Sequence, residues 1–265
     1  MSNEDMKNDE EANVLTSEFF DSDGLKIHYE IIGQGKPIIL IHGWSSSIKG
    51  NWGDTGWVKT LTPIRRVIAL DCRGHGLSDK PYEQEAYGSI NMAQDVLNLM
   101  DHLGIIKADI FGYSMGAFIA LYLLGHYEER FSSVILGGIG DEELDVHSIK
   151  NALLAEDPSQ ITNPEAKGYR LFAQLDPNND LKALAHSILE LVPESNRIVE
   201  LGGPGLTEIV IPILIINGEK DLANADELIA KIPSAKFILI PRRDHISVVP
   251  DKRFKREVLM FLEEN

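Results

Sequence analysis

The pentad Gly112-Tyr113-Ser114-Met115-Gly116 constrains this chain more than any other stretch, because it is wedged between two apolar runs of different character. Ahead of it, Asp109-Ile110-Phe111 reads as a buried strand, and behind it Ala117 to Leu124 is long enough for a helix. A strand that turns into a helix within five residues brings two backbones into close approach. Glycines two positions either side of Ser114 leave room for that approach. The same turn puts the serine in a strained conformation and stands its hydroxyl at a helix N-terminus. There the free N–H groups and the positive end of the dipole favour a developing negative charge.

The rest of the chain repeats the alternation. Pro37 to Ile41, Arg66 to Leu70, Ala108 to Phe111, Ser133 to Leu136, Ile211 to Ile216 and Lys236 to Ile240 are short, continuous apolar runs rich in Ile and Val. Parallel strands covered on both faces have that pattern. Ile90, Ala93, Val96, Leu97, Met100 and Leu103 follow helical spacing, as do Leu228, Ile229 and Ile232. Phe19-Phe20 and Leu25 to Ile32 flank the turn Asp21-Ser22-Asp23-Gly24 and predict an antiparallel hairpin. Together these predict an α/β protein with a mostly parallel sheet and helices on both faces.

One segment departs from the alternation. From Asp141 to Leu201 only helical patterns occur, at Ile149 to Leu154, Ala166 to Leu175 and Leu181 to Leu191, punctuated by Pro158, Pro164, Pro177 and Pro193. The expected organisation is a disordered acidic tail at 1–15, a core at 16–140 and 202–265, and a helical cap at 141–201 over the C-terminal ends of the strands.

Charge narrows the class of partner. With 25 Lys and Arg against 41 Asp and Glu the net charge is −16, so a phosphate backbone or an anionic membrane is repelled and no nucleic-acid partner is expected. A single cysteine, Cys72, permits no internal disulfide, and the first residues have neither a basic nor an apolar leader region, so the expected compartment is the cytoplasm. The longest apolar runs are far short of the roughly 20 residues that span a bilayer, and no membrane span is expected.

A serine nucleophile needs a base, and the base needs an orienting acid. His245 follows the last strand run, in Pro241-Arg242-Arg243-Asp244-His245, and Asp221 follows the preceding one, in Asn217-Gly218-Glu219-Lys220-Asp221. Asp141 and Glu142 are the alternative acid. Among the other histidines, His42 and His75 are expected to hold loops by hydrogen bonds, and His28 and His102 to be structural or exposed. Trp57 reads as core, whereas Trp52, Tyr169 and Phe172 are candidate substrate-binding residues.

Four blocks now carry a resemblance: Ile41-His42-Gly43-Trp44, Asp71-Cys72-Arg73-Gly74-His75-Gly76-Leu77-Ser78, Gly112 to Gly116, and the Asn217 to Asp221 and Asp244-His245 pair. In these, and in the order Ser114, Asp221, His245, the chain resembles the α/β-hydrolase superfamily from Phe19 to Leu262. The resemblance implies an eight-stranded α/β-hydrolase fold with an inserted cap. It implies Ser114 as nucleophile, His245 as general base and acid, Asp221 as the orienting carboxylate, and the backbone N–H groups of Met115 and Trp44 as the oxyanion hole. The activity expected is a carboxylesterase-like serine hydrolase acting on small-molecule esters of small to medium acyl chains and water, with no cofactor and no metal. A lactone or carbon–carbon bond hydrolase with the same triad, or a slow-turnover ligand sensor, are the alternatives, and the sequence leaves self-association open. The base is expected to titrate at about pH 6 to 7, from the unperturbed histidine value of roughly 6.5.

Overall fold

A computed structural model describes residues 15–195 and 198–265; the expected tail, apart from Leu15, lies outside the described residues. Eight strands form one sheet: β1 (Thr16–Ser22), β2 (Leu25–Ile32), β3 (Pro37–Ile41), β4 (Arg66–Leu70), β5 (Ala108–Tyr113), β6 (Phe131–Gly137), β7 (Ile213–Gly218) and β8 (Lys236–Ile240). Their order is β1-β2-β4-β3-β5-β6-β7-β8. The β1/β2 and β2/β4 pairs are antiparallel, and the other pairs are parallel.

β5, β6 and β7 run one or two residues further at their C-terminal ends than the sequence expectation, and two of them also begin elsewhere. β6 begins at Phe131, where the chain pairs with Ala108. β7 begins at Ile213, because Pro212 has no N–H to give the ladder; its carbonyl still accepts from Val134.

The helices α1 (Trp57–Leu61), α2 (Ser89–His102) and α3 (Met115–His126) follow β3, β4 and β5 in turn. Side-chain alternation along the strands splits the core into two layers. Ile39 and Ile41 of β3 pack on one face, with α2 and α3. Ile38 and Leu40 pack on the other, with α1 and the C-terminal helix Lys252–Glu264. In that last helix Phe254, Val258, Phe261 and Leu262 are buried, one stripe at helical spacing. Each such side chain contributes about 1.5–3 kcal/mol of burial. The central helix α3 has no polar face to offer solvent: eight of its twelve residues are buried, as expected for the helix that carries the pentad against the middle of the sheet.

Between β6 and β7 the chain makes α4 (Val146–Leu154), α5 (Pro164–Ala173), α6 (Leu181–Ser195) and α7 (Ile198–Leu201). The long helix α6 continues past Leu191 and through Pro193. The first three have a small core of their own, including Ile149, Leu153, Leu184 and Ile188. Arg170 of α5 donates to the carbonyls of Ala152, Leu153 and Ala155 at 2.6, 3.0 and 3.0 Å, which satisfies the negative C-terminal end of α4. Trp44 Nε1 donates to Ser187 Oγ (2.9 Å), Ser47 Oγ to Asp176 (2.6 Å) and Asn179 Nδ2 to the Ser45 carbonyl (2.7 Å), tying these helices to the loop after β3. Among the described residues no helix is long and apolar enough to cross a membrane.

Candidate active site

Ser114 stands at the junction of β5 and α3 with φ 53° and ψ −119°, a positive-φ conformation that L residues adopt at a steric cost. The glycines around it explain why the turn is tolerated. A Cβ on Gly116 would lie 2.0 Å from the Ile41 carbonyl oxygen, and one on Gly112 would lie 2.0 Å from the Gly116 carbonyl oxygen. The pentad therefore packs backbone on backbone, and the Ser114 N–H is held by the Gly137 carbonyl at 2.8 Å.

His245 and Asp221 come from the loops after β8 and β7. Those loops are laced together: Lys220 N–H donates to the Arg243 carbonyl (2.8 Å), Glu219 N–H to the Ile240 carbonyl (3.0 Å) and Arg242 N–H to the Glu219 carboxylate (2.7 Å). A Cβ on Gly218 would meet the Arg243 carbonyl oxygen at 2.3 Å, so glycine is required where the loops cross. The result is that His245 Nδ1–H donates to both Asp221 carboxylate oxygens, at 3.0 and 2.9 Å. Asp221 is buried with a side-chain exposure of 2%, while His245 keeps 31%. With Nδ1 carrying the proton, Nε2 presents its lone pair. Ser114 and His245 line one cavity, but no hydrogen bond joins them among the described residues; such contacts commonly tighten when substrate binds.

Burial pulls the His245 imidazole down, but the Asp221 hydrogen bond and charge, aided by Glu142 and Asp244, outweigh it and raise the pKa above 6.5. With His245 acting as a general base, kcat/KM is expected to rise with pH through a midpoint above 6.5, read from a rate profile over roughly pH 5 to 9. A flat profile would exclude His245 from that role.

Two backbone donors border Ser114. Met115 is the first residue of α3, and Trp44 follows Gly43 in the loop after β3; neither N–H has a protein partner among the described residues. The neighbouring Gly43 N–H does have one, the Asn51 side-chain oxygen at 3.0 Å, so in this loop the Trp44 N–H rather than that of Gly43 is left open. Asn51 is a supporting residue that the sequence does not flag. It lies eight residues beyond Gly43 in the turn Ile48–Gly53, and no spacing rule marks it. His42 steadies the same loop: its Nδ1–H donates to the Gly43 carbonyl (2.8 Å) and its Nε2 accepts from Cys72 N–H (3.0 Å).

The cavity encloses about 760 Å³, within the size range of small-molecule sites. Tyr169 and Phe172 of α5 line it, together with Leu144, Ile188 and Phe118. Phe118 is four residues after Ser114, on the same helix face, a spacing that could have singled it out. Trp52 is a correction. Its side chain has no exposure and packs 4.9 Å from the Phe111 ring and beside Trp57, under the loop and against the sheet, so it does not reach the cavity. Of the alternative acids, Asp141 pairs through its backbone with Asn224, beside the loop after β7, and Glu142 lines the cavity, where its charge acts on His245; the imidazole hydrogen-bonds to Asp221. Asp71 and Arg73 bind separate partners, Asp71 to His28 and Arg73 to Asp95.

A family model described as alpha/beta hydrolase fold matches residues 36–201. Among curated relatives, the 2-hydroxy-6-oxo-6-phenylhexa-2,4-dienoate hydrolase of Burkholderia cepacia is 30% identical over 83% of this chain and 85% of its own length. The dihydrolipoyllysine-residue acetyltransferase component of the acetoin cleaving system of Pseudomonas putida is 27% identical over 89% of this chain, which spans 66% of that relative. Among solved structures, an esterase from Exiguobacterium antarcticum superposes with a TM-score of 0.76 at 24% identity, covering 94% of this chain and 100% of that one.

Proposed function

The chain belongs to the α/β-hydrolase fold family, and from that premise we propose that it hydrolyses carboxylic esters of small to medium acyl chains through an acyl-enzyme on Ser114. The observation that carries this reading is the serine at its strained turn, with the Met115 and Trp44 N–H groups on one side and the Asp221-oriented His245 in the same cavity.

In this mechanism Ser114 Oγ adds to the ester carbonyl while His245 Nε2 takes its proton. Met115 and Trp44 N–H groups hold the oxyanion, and Asp221 stabilises the imidazolium. The imidazolium then protonates the departing alcohol. Water, deprotonated by the same nitrogen, adds to the acyl-serine and releases the acid. The apolar wall of Leu144, Tyr169, Phe172 and Ile188 suits an acyl chain, because it rewards burial of methylene groups without asking for a charge.

Carbon–carbon cleavage of a diketone by the same residues is the second reading, favoured by the relative named as a dienoate hydrolase. Steady-state rates on p-nitrophenyl esters of increasing acyl length, run beside a vinylogous diketone, separate the two. Ester turnover with an optimum at short to medium acyl length, and an acyl mass increment on the Ser114 peptide after acid quench, is the expected result. Diketone cleavage without ester turnover would replace the first reading by the second.

A further inference from the structure

A second serine, histidine and aspartate lie in line on the antiparallel side of the sheet, away from the cavity. His28 of β2 is buried to 2% exposure; its Nδ1 is 2.8 Å from Asp71 Oδ2, and its Nε2 is 2.9 Å from Ser17 Oγ on β1. The direction of both hydrogen bonds follows from Asp71. Its carboxylate also accepts from Leu77 N–H at 2.9 Å and Ile48 N–H at 2.7 Å, surroundings made for an anion. Burial alone would push the Asp71 carboxyl up, but the His28 hydrogen bond, the nearby His42 and those two N–H groups bring it below its ordinary value. An ionised Asp71 can only accept, so His28 Nδ1–H donates to it. In the neutral imidazole Nε2 then carries the lone pair, and the Ser17 hydroxyl donates to it.

Ser17 is exposed, and β1 is the outermost strand, paired on one side with β2. Its open edge therefore presents outward N–H groups beside the hydroxyl. The cavity serine is not hydrogen-bonded to its base, whereas this one is.

We propose that Ser17 is a second nucleophile of this chain, taking an acyl or phosphonyl group from activated donors with His28 as its base and Asp71 orienting the imidazole. In the acyl case Ser17 Oγ adds to the carbonyl carbon of the donor as its proton passes to His28 Nε2. The bond from that carbon to the leaving group then breaks, and the leaving group departs with the proton. The products are acyl-Ser17 and the protonated leaving group, with no change of oxidation state. Among the described residues the site lies on an open strand rather than in a cavity and has no pair of converging backbone donors like Met115 and Trp44. It is therefore a slow, stoichiometric acceptor and not a turnover site. The proposal is independent of what the cavity hydrolyses.

The test uses the full chain with Ser114→Ala, so that the cavity serine cannot react. The protein is incubated with a fluorophosphonate probe, whose P–F bond breaks on attack, and the adduct is mapped by peptide mass. Ser159 and Ser234 are exposed in the same molecule and serve as internal references. Ser17 should be labelled at least about tenfold faster than either, as expected of a base-assisted hydroxyl. Adding Ser17→Ala should remove that adduct, and His28→Gln should slow Ser17 to the rate of Ser234. Should His28→Gln fail to fold, the ratio of Ser17 to Ser234 within the Ser114→Ala protein still decides. Labelling of Ser17 no faster than Ser234, or undiminished in a folded His28→Gln protein, would overturn the proposal.

Discussion

Replacing Ser114 by Ala is expected to lower kcat on the p-nitrophenyl esters by about 10⁶-fold, and replacing Asp221 by Asn by about 10⁴-fold, the losses found when members of such a unit are removed. The two changes act on different atoms. Ser114→Ala deletes the nucleophile and leaves the Met115 and Trp44 donors, so the remaining rate is what oxyanion stabilisation and binding supply alone. Asp221→Asn keeps the size and burial of the side chain but replaces a doubly accepting carboxylate by an amide. The amide can donate to His245 Nδ1, which favours the tautomer with its proton on Nε2 and leaves no lone pair for Ser114. Initial rates at saturating ester, with thermal unfolding as the control for folding, check both. A Ser114→Ala protein within tenfold of wild type would place the nucleophile elsewhere. Acyl uptake that persists in Ser114→Ala and vanishes on adding Ser17→Ala would trace the remaining reactivity to the outer strand.

The strained turn at Ser114 was legible because its constraint is local. Gly112 and Gly116 are required by backbone contacts within a few residues of Ser114 and with β3 beside it, and the apolar runs that make the central strands are contiguous in sequence. Asp221 and His245 were legible through position, since each follows a strand that ends at the same edge of the sheet. What the sequence hid depends on which way a side chain turns in a short segment. Trp52 and Asn51 are neighbours in the turn Ile48–Gly53, yet one is packed on Phe111 and the other holds the Gly43 N–H. That segment is a single π-helical turn, too short for a helical stripe to show in the sequence, so an aromatic residue near the site reads as substrate-facing when it supports the sheet. His28 was hidden differently. Its partners Ser17 and Asp71 are reached across strands, through the β1/β2 register and the loop after β4, and that pairing exists only once the sheet has formed.

Asp109 carries the largest expected effect on stability. It lies in β5 near the strand's N-terminal end with no exposure, and its carboxylate accepts from Arg65 Nε at 2.8 Å, Lys36 Nζ at 3.0 Å and Ser133 Oγ at 2.8 Å. Arg65 reaches on to the Leu262 carbonyl at 2.6 Å, so this one carboxylate joins β5 to β6, to the turn before β3 and, through Arg65, to the C-terminal helix. Asp109→Ala would strand the Arg65 guanidinium, 8% exposed, with carbonyls as its remaining partners. Breaking a buried pair from one side typically costs about 3–5 kcal/mol, because the charge left behind is desolvated and uncompensated. Asp109→Asn retains an acceptor of the same shape and should lose less. Urea unfolding followed by far-ultraviolet circular dichroism should show the midpoint falling with an unchanged slope. Ester turnover of the folded fraction should stay near wild type, since five residue-to-residue steps of ~3.3 Å each separate Asp109 from Ser114 by about 16 Å. A loss below about 1 kcal/mol would show that water replaces the carboxylate around Arg65 at little cost. A matching collapse of kcat in the folded protein would show instead that the two ends of β5 are coupled, and that the ion pairs at one end help hold the serine turn at the other.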